Sequence, residues 1–273
     1  MTTFIEYLKY ALLGLIQGIA EILPISSSSH LMLFQHLLKV DSPGLTFEMF
    51  TNMASFIALL VFFRKEILSL LKSFFSYIFK KNERSENKKQ FYYVIKLVIA
   101  ILPIGILGLI FKDQIENLKS LLFVGIGLFI TGSLLLVTYF TRNLRKELAE
   151  VSFASSALIG FSQAFSLLPG ISRSGSTIVS GRATNLSLKT ILTFSFLSYV
   201  LISLPISVLS IYDALKASEQ INIGGFITAF IITFLATFFT AKIVMKRLKI
   251  KHLIYFGIYC LLISSLALVL HFI

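Results

Sequence analysis

Between Gln17 and Leu31 the chain reads QGIAEILPISSSSHL, which sets a carboxylate, four hydroxyls and an imidazole within fifteen residues. Gln17 and Glu21 are four apart and share one face of a helix. Pro24 must end that helix, and the serines behind it suit the start of a second one. If the second helix begins near Ser26, then Ser27 and His30, three apart, fall on one face, and the unpaired N–H groups of its first turn make a seat for an anion. Carboxylate, hydroxyl and imidazole thus converge on a preformed phosphate cradle.

A second such stretch, Leu167 to Gly181, reads LLPGISRSGSTIVSG. Pro169 and Gly170 break a helix, Gly175 lets the backbone approach a ligand closely, and Ser172 and Ser174 add hydroxyls. Arg173 and Thr177 are four apart, so both can address one ligand, and arginine offers the forked donors that match phosphate oxygens. An internal ion pair with Glu21 is the other use open to Arg173, and the two uses can alternate without and with ligand. Glu48 and Asn52, also four apart, serve either this site or the membrane interface. Arg182 is expected to snorkel, and Lys80 to Lys89, KKNERSENKK, to form a solvated loop near anionic lipids. His36, His252 and His271 show no metal-ligand spacing, and Cys260, alone in an apolar run, is expected to be a packing residue.

The elements that must position these groups are membrane helices. Of the 273 residues 56% are hydrophobic and only 14% charged, with 27 Phe, no Trp and a mean hydropathy of +0.86. A soluble domain carries about 25% charged residues, so this chain cannot cover its apolar groups with polar surface, and no soluble enzyme domain fits within it. The net charge of +12 sits mostly in short stretches between apolar runs and reports membrane orientation rather than nucleic-acid binding. Six apolar runs are long enough to cross: Leu45–Phe63, Phe91–Phe111, Leu121–Phe140, Ile191–Ile211, Gly225–Ile243 and Leu253–Phe272. Tyr7–Leu38 and Phe153–Leu188 are broken in the middle and read as re-entrant helix hairpins, because irregular backbone at membrane depth needs protein or water around it.

Charge orients the runs. Arg64–Gln90 holds eight basic and three acidic residues, Thr141–Glu150 three and two, and Lys242–Lys251 five and none. Placing these three in the cytoplasm puts both termini outside and makes the two hairpins enter from opposite faces. The hairpins also share a spacing: Gly14, Gln17 and Ser26 match Gly160, Gln163 and Ser172. The expected fold is an all-α integral membrane protein, a single membrane domain over residues 1–273 built as an inverted-topology repeat. Repeat one covers 1–145 and repeat two 146–273, each a re-entrant hairpin followed by three transmembrane helices, with the broken helices meeting near the midplane.

At the two polar stretches the sequence resembles the bacitracin-resistance family, the undecaprenyl-diphosphate phosphatases. Gln17, Glu21, Pro24, Ser26, Ser27 and His30 stand where that family has Glu or Gln, then Glu, Pro and Ser-Ser-Thr-Gly-His; Pro169, Gly170, Ser172, Arg173, Ser174, Gly175 and Thr177 match its second pattern. FEMFTNMASFIALLVFFRKEI and LPIGILGLI also look like family segments in the expected order. Ser28 replaces the usual Thr, Ser29 the usual Gly, and Asn52 and Ala54 fall where His or Gln and then Gly are usual. At Ser29 a backbone angle that Gly allows freely must be reached by Ser or avoided, and the departures together bear on substrate geometry and efficiency.

The resemblance implies hydrolysis of the terminal phosphate of a C55 isoprenyl diphosphate, returning the monophosphate carrier of peptidoglycan and other envelope polymers. It implies the bacterial cytoplasmic (inner) membrane, a site opening outward, and a divalent cation, Mg²⁺ or Ca²⁺. With it, Ser27 is the expected nucleophile, Ser26 the alternative, His30 the base and later general acid, and Glu21 a metal ligand or orienting carboxylate. Gln17, Ser26, Ser172, Arg173, Ser174, Gly175 and Thr177 are the expected substrate contacts, Arg173 and Thr177 forming the phosphate clamp. The polyprenyl diphosphate and membrane lipids are the expected partners, a second copy of the chain is an open alternative, and nucleic acid is not a partner. A polyprenyl-phosphate transporter or flippase would use the same anion site. A lipid phosphatase with a His nucleophile fits less well, since that chemistry wants a second His and an Asp after the Ser-Arg motif, and no His occurs between His36 and His252.

Overall fold

The computed structural model describes residues 4–40, 44–142, 147–216 and 222–273. The expected repeat boundary at 145/146 lies outside these residues, as do the loop charges at Asp41, Arg145, Lys146 and Glu219. The fold is all-helical, with no strand among the described residues. In chain order the helices are α1 (Phe4–Ile22), α2 (Ser27–Leu38), α3 (Gly44–Phe62), α4 (Arg64–Phe79), α5 (Arg84–Ile110) and α6 (Lys112–Asn117). They continue as α7 (Leu121–Phe140), α8 (Phe153–Ala164), α9 (Arg173–Ala183), α10 (Leu188–Lys216), α11 (Ile223–Arg247) and α12 (Leu253–Phe272).

Five stretches among the described residues are long and apolar enough to cross a membrane: Lys81–Ile110, Leu121–Phe140, Leu188–Leu209, Ile223–Arg247 and Ile250–Phe272. The sixth expected run forms α3, whose apolar part, Phe47–Phe62, is shorter. The basic stretch 64–90 is not the loop its charge suggests. Most of it is helix, because Ile67, Leu70, Phe74 and Tyr77 recur at helical spacing and pack inward, Phe74 and Tyr77 stacking on Phe91 of α5 at 5.3 and 4.1 Å. Interspersed lysines hide that periodicity from a charge count.

Lipid is as apolar as leucine, so what holds such helices together is close approach and hydrogen bonding rather than apolar burial alone. On α1, a Cβ at Gly14 would lie 2.5 Å from the Ala229 carbonyl of α11, and Thr233 Oγ1 donates to the Gly14 carbonyl at 2.9 Å. On α8, a Cβ at Gly160 would lie 2.9 Å from the Ala100 carbonyl of α5, and Ser156 Oγ donates to the Lys96 carbonyl. Helices α7 and α12 meet through Gly132 and Gly257, each against the other's carbonyl. Between these pairs α3 and α10 pack together, with Phe194 and Phe196 of α10 fully buried.

Two breaks face each other inside this frame. Helix α1 stops at Ile22 and α2 starts at Ser27; α8 stops at Ala164, and after a single 3₁₀ turn α9 starts at Arg173. Ser174 Oγ donates to the Leu23 carbonyl at 2.9 Å, tying one break to the other. The second break is moulded on α7: Gly170 sits at φ 90, where only glycine is unstrained, and Thr131 Oγ1 donates to its carbonyl at 3.0 Å and accepts from Ser172 N at 3.1 Å.

Arg182 does not snorkel. It is 3% exposed and reaches Glu147 at 3.1 Å and the Leu186 carbonyl at 2.9 Å, so it closes the C-terminal end of α9 onto the segment before α8. Cys260 is fully buried in a small apolar cluster, as expected of a packing residue.

Candidate active site

Glu21, one residue before α1 ends, is the hub. Ser27 Oγ donates to its Oε2 at 2.6 Å, Gln17 Nε2 donates to the same oxygen at 3.2 Å, and Arg173 Nη2 donates to Oε1 at 2.9 Å. Gln17 is held in turn by Asn52 of α3, whose Oδ1 accepts from Nε2 at 2.7 Å. The Arg173 and Glu21 side chains are only 13% and 7% exposed. In so dry a setting an unpaired charge costs several kcal/mol, so each needs the other or a substitute charge.

Arg173 opens α9 as its first residue, with Ser172 as the cap: Ser172 Oγ accepts from Gly175 N at 3.1 Å. Its guanidinium lies 4.3 Å from the ring centre of Tyr199 and donates to the Ser195 carbonyl at 3.4 Å, so α10 sets its direction. Tyr199 OH donates to the Asn52 carbonyl at 3.1 Å and joins α10 to α3 behind the site.

These groups line a cavity of about 490 Å³. Glu21, Ser26, Ser27, Asn52, Arg173 and Tyr199 line it, together with apolar side chains that include Ile104, Leu109, Leu167 and Ile202. Glu48 lines it too and pairs with Lys119 at 2.8 Å. A dianionic head and a hydrocarbon tail would find matching surroundings in one continuous space.

Of the residues expected here, Glu21, Ser26, Ser27, Ser172, Arg173 and Ser174 do line the cavity. Gln17 stands behind Glu21, fully buried. Thr177, also fully buried, turns its hydroxyl back to the Arg173 carbonyl at 3.0 Å and is no second arm of a clamp in this geometry. At Gly175 the space is taken by the Ser172 side chain, 3.0 Å from where a Cβ would stand, so the glycine serves the cap rather than a ligand.

The expected Ser27–His30 pair does not form. His30 Nδ1 lies 2.8 Å from the Ser26 carbonyl and Nε2 lies 2.8 Å from Tyr259 OH, while Ser27 turns to Glu21. Both residues lie in α2, but the imidazole folds back on the carbonyl four residues earlier while the Ser27 hydroxyl, at the very start of the helix, turns to Glu21, so their shared face brings no contact. The strained angle is not at Ser29, which is helical, but at Ser26, with φ 67. Tyr199 and Tyr259 are the participants that sequence reasoning missed; each sits inside an apolar run, and only its interruption of that run could have signalled it.

The bacitracin resistance protein BacA family model matches residues 10–266. The chain belongs to this family. Among its relatives is the undecaprenyl-diphosphatase of Acholeplasma laidlawii (strain PG-8A), 41% identical over 280 residues and covering 100% of both chains. Undecaprenyl-diphosphatase 2 of Bacillus thuringiensis (strain Al Hakam) is 41% identical over 98% of this chain and 99% of its own. The undecaprenyl-diphosphatase of Oceanobacillus iheyensis is 36% identical over 97% of each. With five membrane-capable helices among the described residues, this family member is a multi-pass membrane protein.

Proposed function

We propose that the protein hydrolyses undecaprenyl diphosphate to undecaprenyl phosphate and inorganic phosphate, at the junction of the two helix breaks. The observation that carries the proposal is the cavity lined both by Ser27, Glu21 and Arg173, hydrogen-bonded in series, and by apolar residues of α5 and α10. Family membership and full-length relatives named undecaprenyl-diphosphatase support the same substrate.

The diphosphate enters headfirst and competes with Glu21 for Arg173, whose fork suits phosphate oxygens. Ser27 Oγ attacks the terminal phosphorus as its proton passes to Glu21 Oε2, the acceptor within hydrogen-bond reach. The bond from that phosphorus to the bridging oxygen breaks and undecaprenyl phosphate leaves with the bond's electron pair. Water then attacks the phosphoserine: the Ser27–phosphorus bond breaks as the proton held on Glu21 returns to Ser27 Oγ, the water oxygen leaves in inorganic phosphate with one of its protons, and the other proton goes to solvent. Phosphoryl transfer asks for positioning and charge neutralisation more than for covalent chemistry, which suits so spare a residue set.

No group of three or more His, Cys, Asp or Glu suited to a metal occurs among the described residues. Mg²⁺ is commonly held by one or two carboxylates plus substrate phosphates, so the donor set fits a divalent cation that Glu21 shares with the diphosphate. Such an ion would supply charge neutralisation on the phosphate oxygens.

The architecture is an inverted-topology repeat in the inner membrane, with both termini and the site outside. The reciprocal packing of Gly14 on α11 and Gly160 on α5, and of Gly132 with Gly257, supports it. Ser85→Cys should be protected and Ile115→Cys labelled by an impermeant thiol reagent in intact cells lacking Cys260; the reverse pattern inverts the topology. Phosphate release from C55 diphosphate by purified protein, lost on adding a chelator and restored by Mg²⁺ or Ca²⁺, tests the chemistry. Transbilayer movement of polyprenyl phosphate with no phosphate release would replace it with a carrier.

A further inference from the structure

His30 has no part in the proton path drawn above, yet it is 2% exposed, and both of its ring nitrogens are engaged. A carbonyl can only accept, so the proton sits on Nδ1 and is donated to the Ser26 carbonyl at 2.8 Å. In the neutral ring Nε2 is then an acceptor, and Tyr259 OH of α12 supplies the donor at 2.8 Å. The two rings lie nearly parallel, 13° apart with centres at 5.4 Å. Tyr259, His30 and the Ser26 carbonyl therefore form one directed chain from the last helix to the first break.

What that chain holds is a residue that would not hold itself. Ser26 has φ 67 and ψ 95, a backbone region that L-residues rarely adopt. As the N-cap of α2 it makes no side-chain cap bond; its hydroxyl pairs instead with Ser29 Oγ at 2.9 Å. The carbonyl of Ser26 accepts from the His30 backbone N–H at 3.3 Å as well as from the ring. Ser27 follows directly, so the orientation of the Ser26 peptide aims the Ser27 hydroxyl at Glu21.

We infer that Tyr259 and His30 are a positioning pair: Tyr259 fixes the Nδ1–H form of His30, and His30 pins the strained Ser26 peptide that points Ser27 at Glu21 and the phosphate. The inference rests on Ser27 being the nucleophile. It gives His30 a role distinct from that of a base, and it assigns a function to α12.

Asparagine places an amide nitrogen near the position of Nδ1 and can donate to the Ser26 carbonyl, but it cannot serve as a base. His30→Ala is therefore expected to lower kcat by about a hundredfold, and His30→Asn to recover at least tenfold of that loss. Tyr259→Phe, which removes only the hydroxyl, should lower kcat by about three- to tenfold with KM unchanged within twofold, and should have no further effect in a His30→Asn background. Binding of a non-hydrolysable polyprenyl diphosphate analogue and a thermal unfolding midpoint on each purified variant separate misfolding from mispositioning. Only variants that bind the analogue like wild type are scored, with His30→Gln replacing His30→Asn should the latter fail to fold. Asparagine or glutamine no better than alanine, or Tyr259→Phe indistinguishable from wild type, overturns the assignment. Full turnover by Ser27→Ala would instead overturn the nucleophile itself, a separate result.

Discussion

The two helix breaks share a plan and differ in what they do with it. In each, glutamine follows glycine by three residues, a serine caps the second helix, and the residue after that serine opens it. At the second break the cap is regular: Ser172 has extended φ and ψ and its hydroxyl takes the Gly175 N–H. At the first, Ser26 is forced to positive φ and leaves the helix N-terminus without a side-chain cap. The residue four after the glutamine is Glu21 in one and Leu167 in the other; the helix-opening residue is Ser27 in one and Arg173 in the other. The relaxed break supplies a fixed positive charge, and the strained one carries the groups proposed to react. Strain beside such a group is stable only where its surroundings over-determine it, the role proposed above for Tyr259 and His30.

The largest effect expected from breaking this comparison is at the helix-opening residues. Ser27→Ala should lower kcat by about a thousandfold or more while a non-hydrolysable analogue still binds. Turnover near wild type would pass the attacking role to Ser26 or to water. On the other side, Arg173→Lys keeps the charge and loses the fork, so kcat/KM should fall by about tenfold or more, equivalent to roughly 1.4 kcal/mol. Activity within twofold of wild type would make Arg173 a structural partner of Glu21 only.

The caps should respond unequally. Ser172→Ala removes a working cap and is expected to destabilise the protein by about 1 kcal/mol. Ser26→Gly relieves a positive φ at the cost of chain entropy and should leave stability within about 0.5 kcal/mol, although the looser backbone lowers kcat. Unfolding in detergent measures both; equal losses would mean that the caps are equivalent after all.

The glutamines give the smallest contrast. Gln17 holds Glu21 and Asn52, whereas neither amide atom of the fully buried Gln163 has a hydrogen-bond partner among the described residues. A buried amide without partners costs about 1–3 kcal/mol, so Gln163→Leu should be neutral or stabilising with activity retained. Gln17→Leu should lose severalfold in kcat. A reversed pair of results would place the chemistry nearer the second break.

Much of this was legible in local pattern. A run of apolar residues near helix length is a membrane helix whatever surrounds it, and proline or clustered serine breaks such a helix because backbone geometry demands it. The chain's class, most of its helices, both breaks and the identity of Glu21, Ser27 and Arg173 as notable residues follow from sequence alone. Helix α4 shows the limit, since its lysines spoke for a loop and its aromatic contacts with α5 made a helix.

Tertiary structure decided who faces whom. Glu21 and Arg173 are 152 residues apart, and Ser27 prefers that carboxylate to the imidazole three residues away. A helix turns about 100° per residue, so where α2 begins and how Ser26 is bent determine which way Ser27 points. Neither is written in residue spacing. Tyr199 and Tyr259 looked like parts of apolar runs until α10 and α12 packed and carried their hydroxyls to Asn52 and His30. Composition and periodicity fix elements because those depend on neighbours along the chain; the direction of a hydroxyl or a guanidinium depends on neighbours in space, which only the packed bundle supplies.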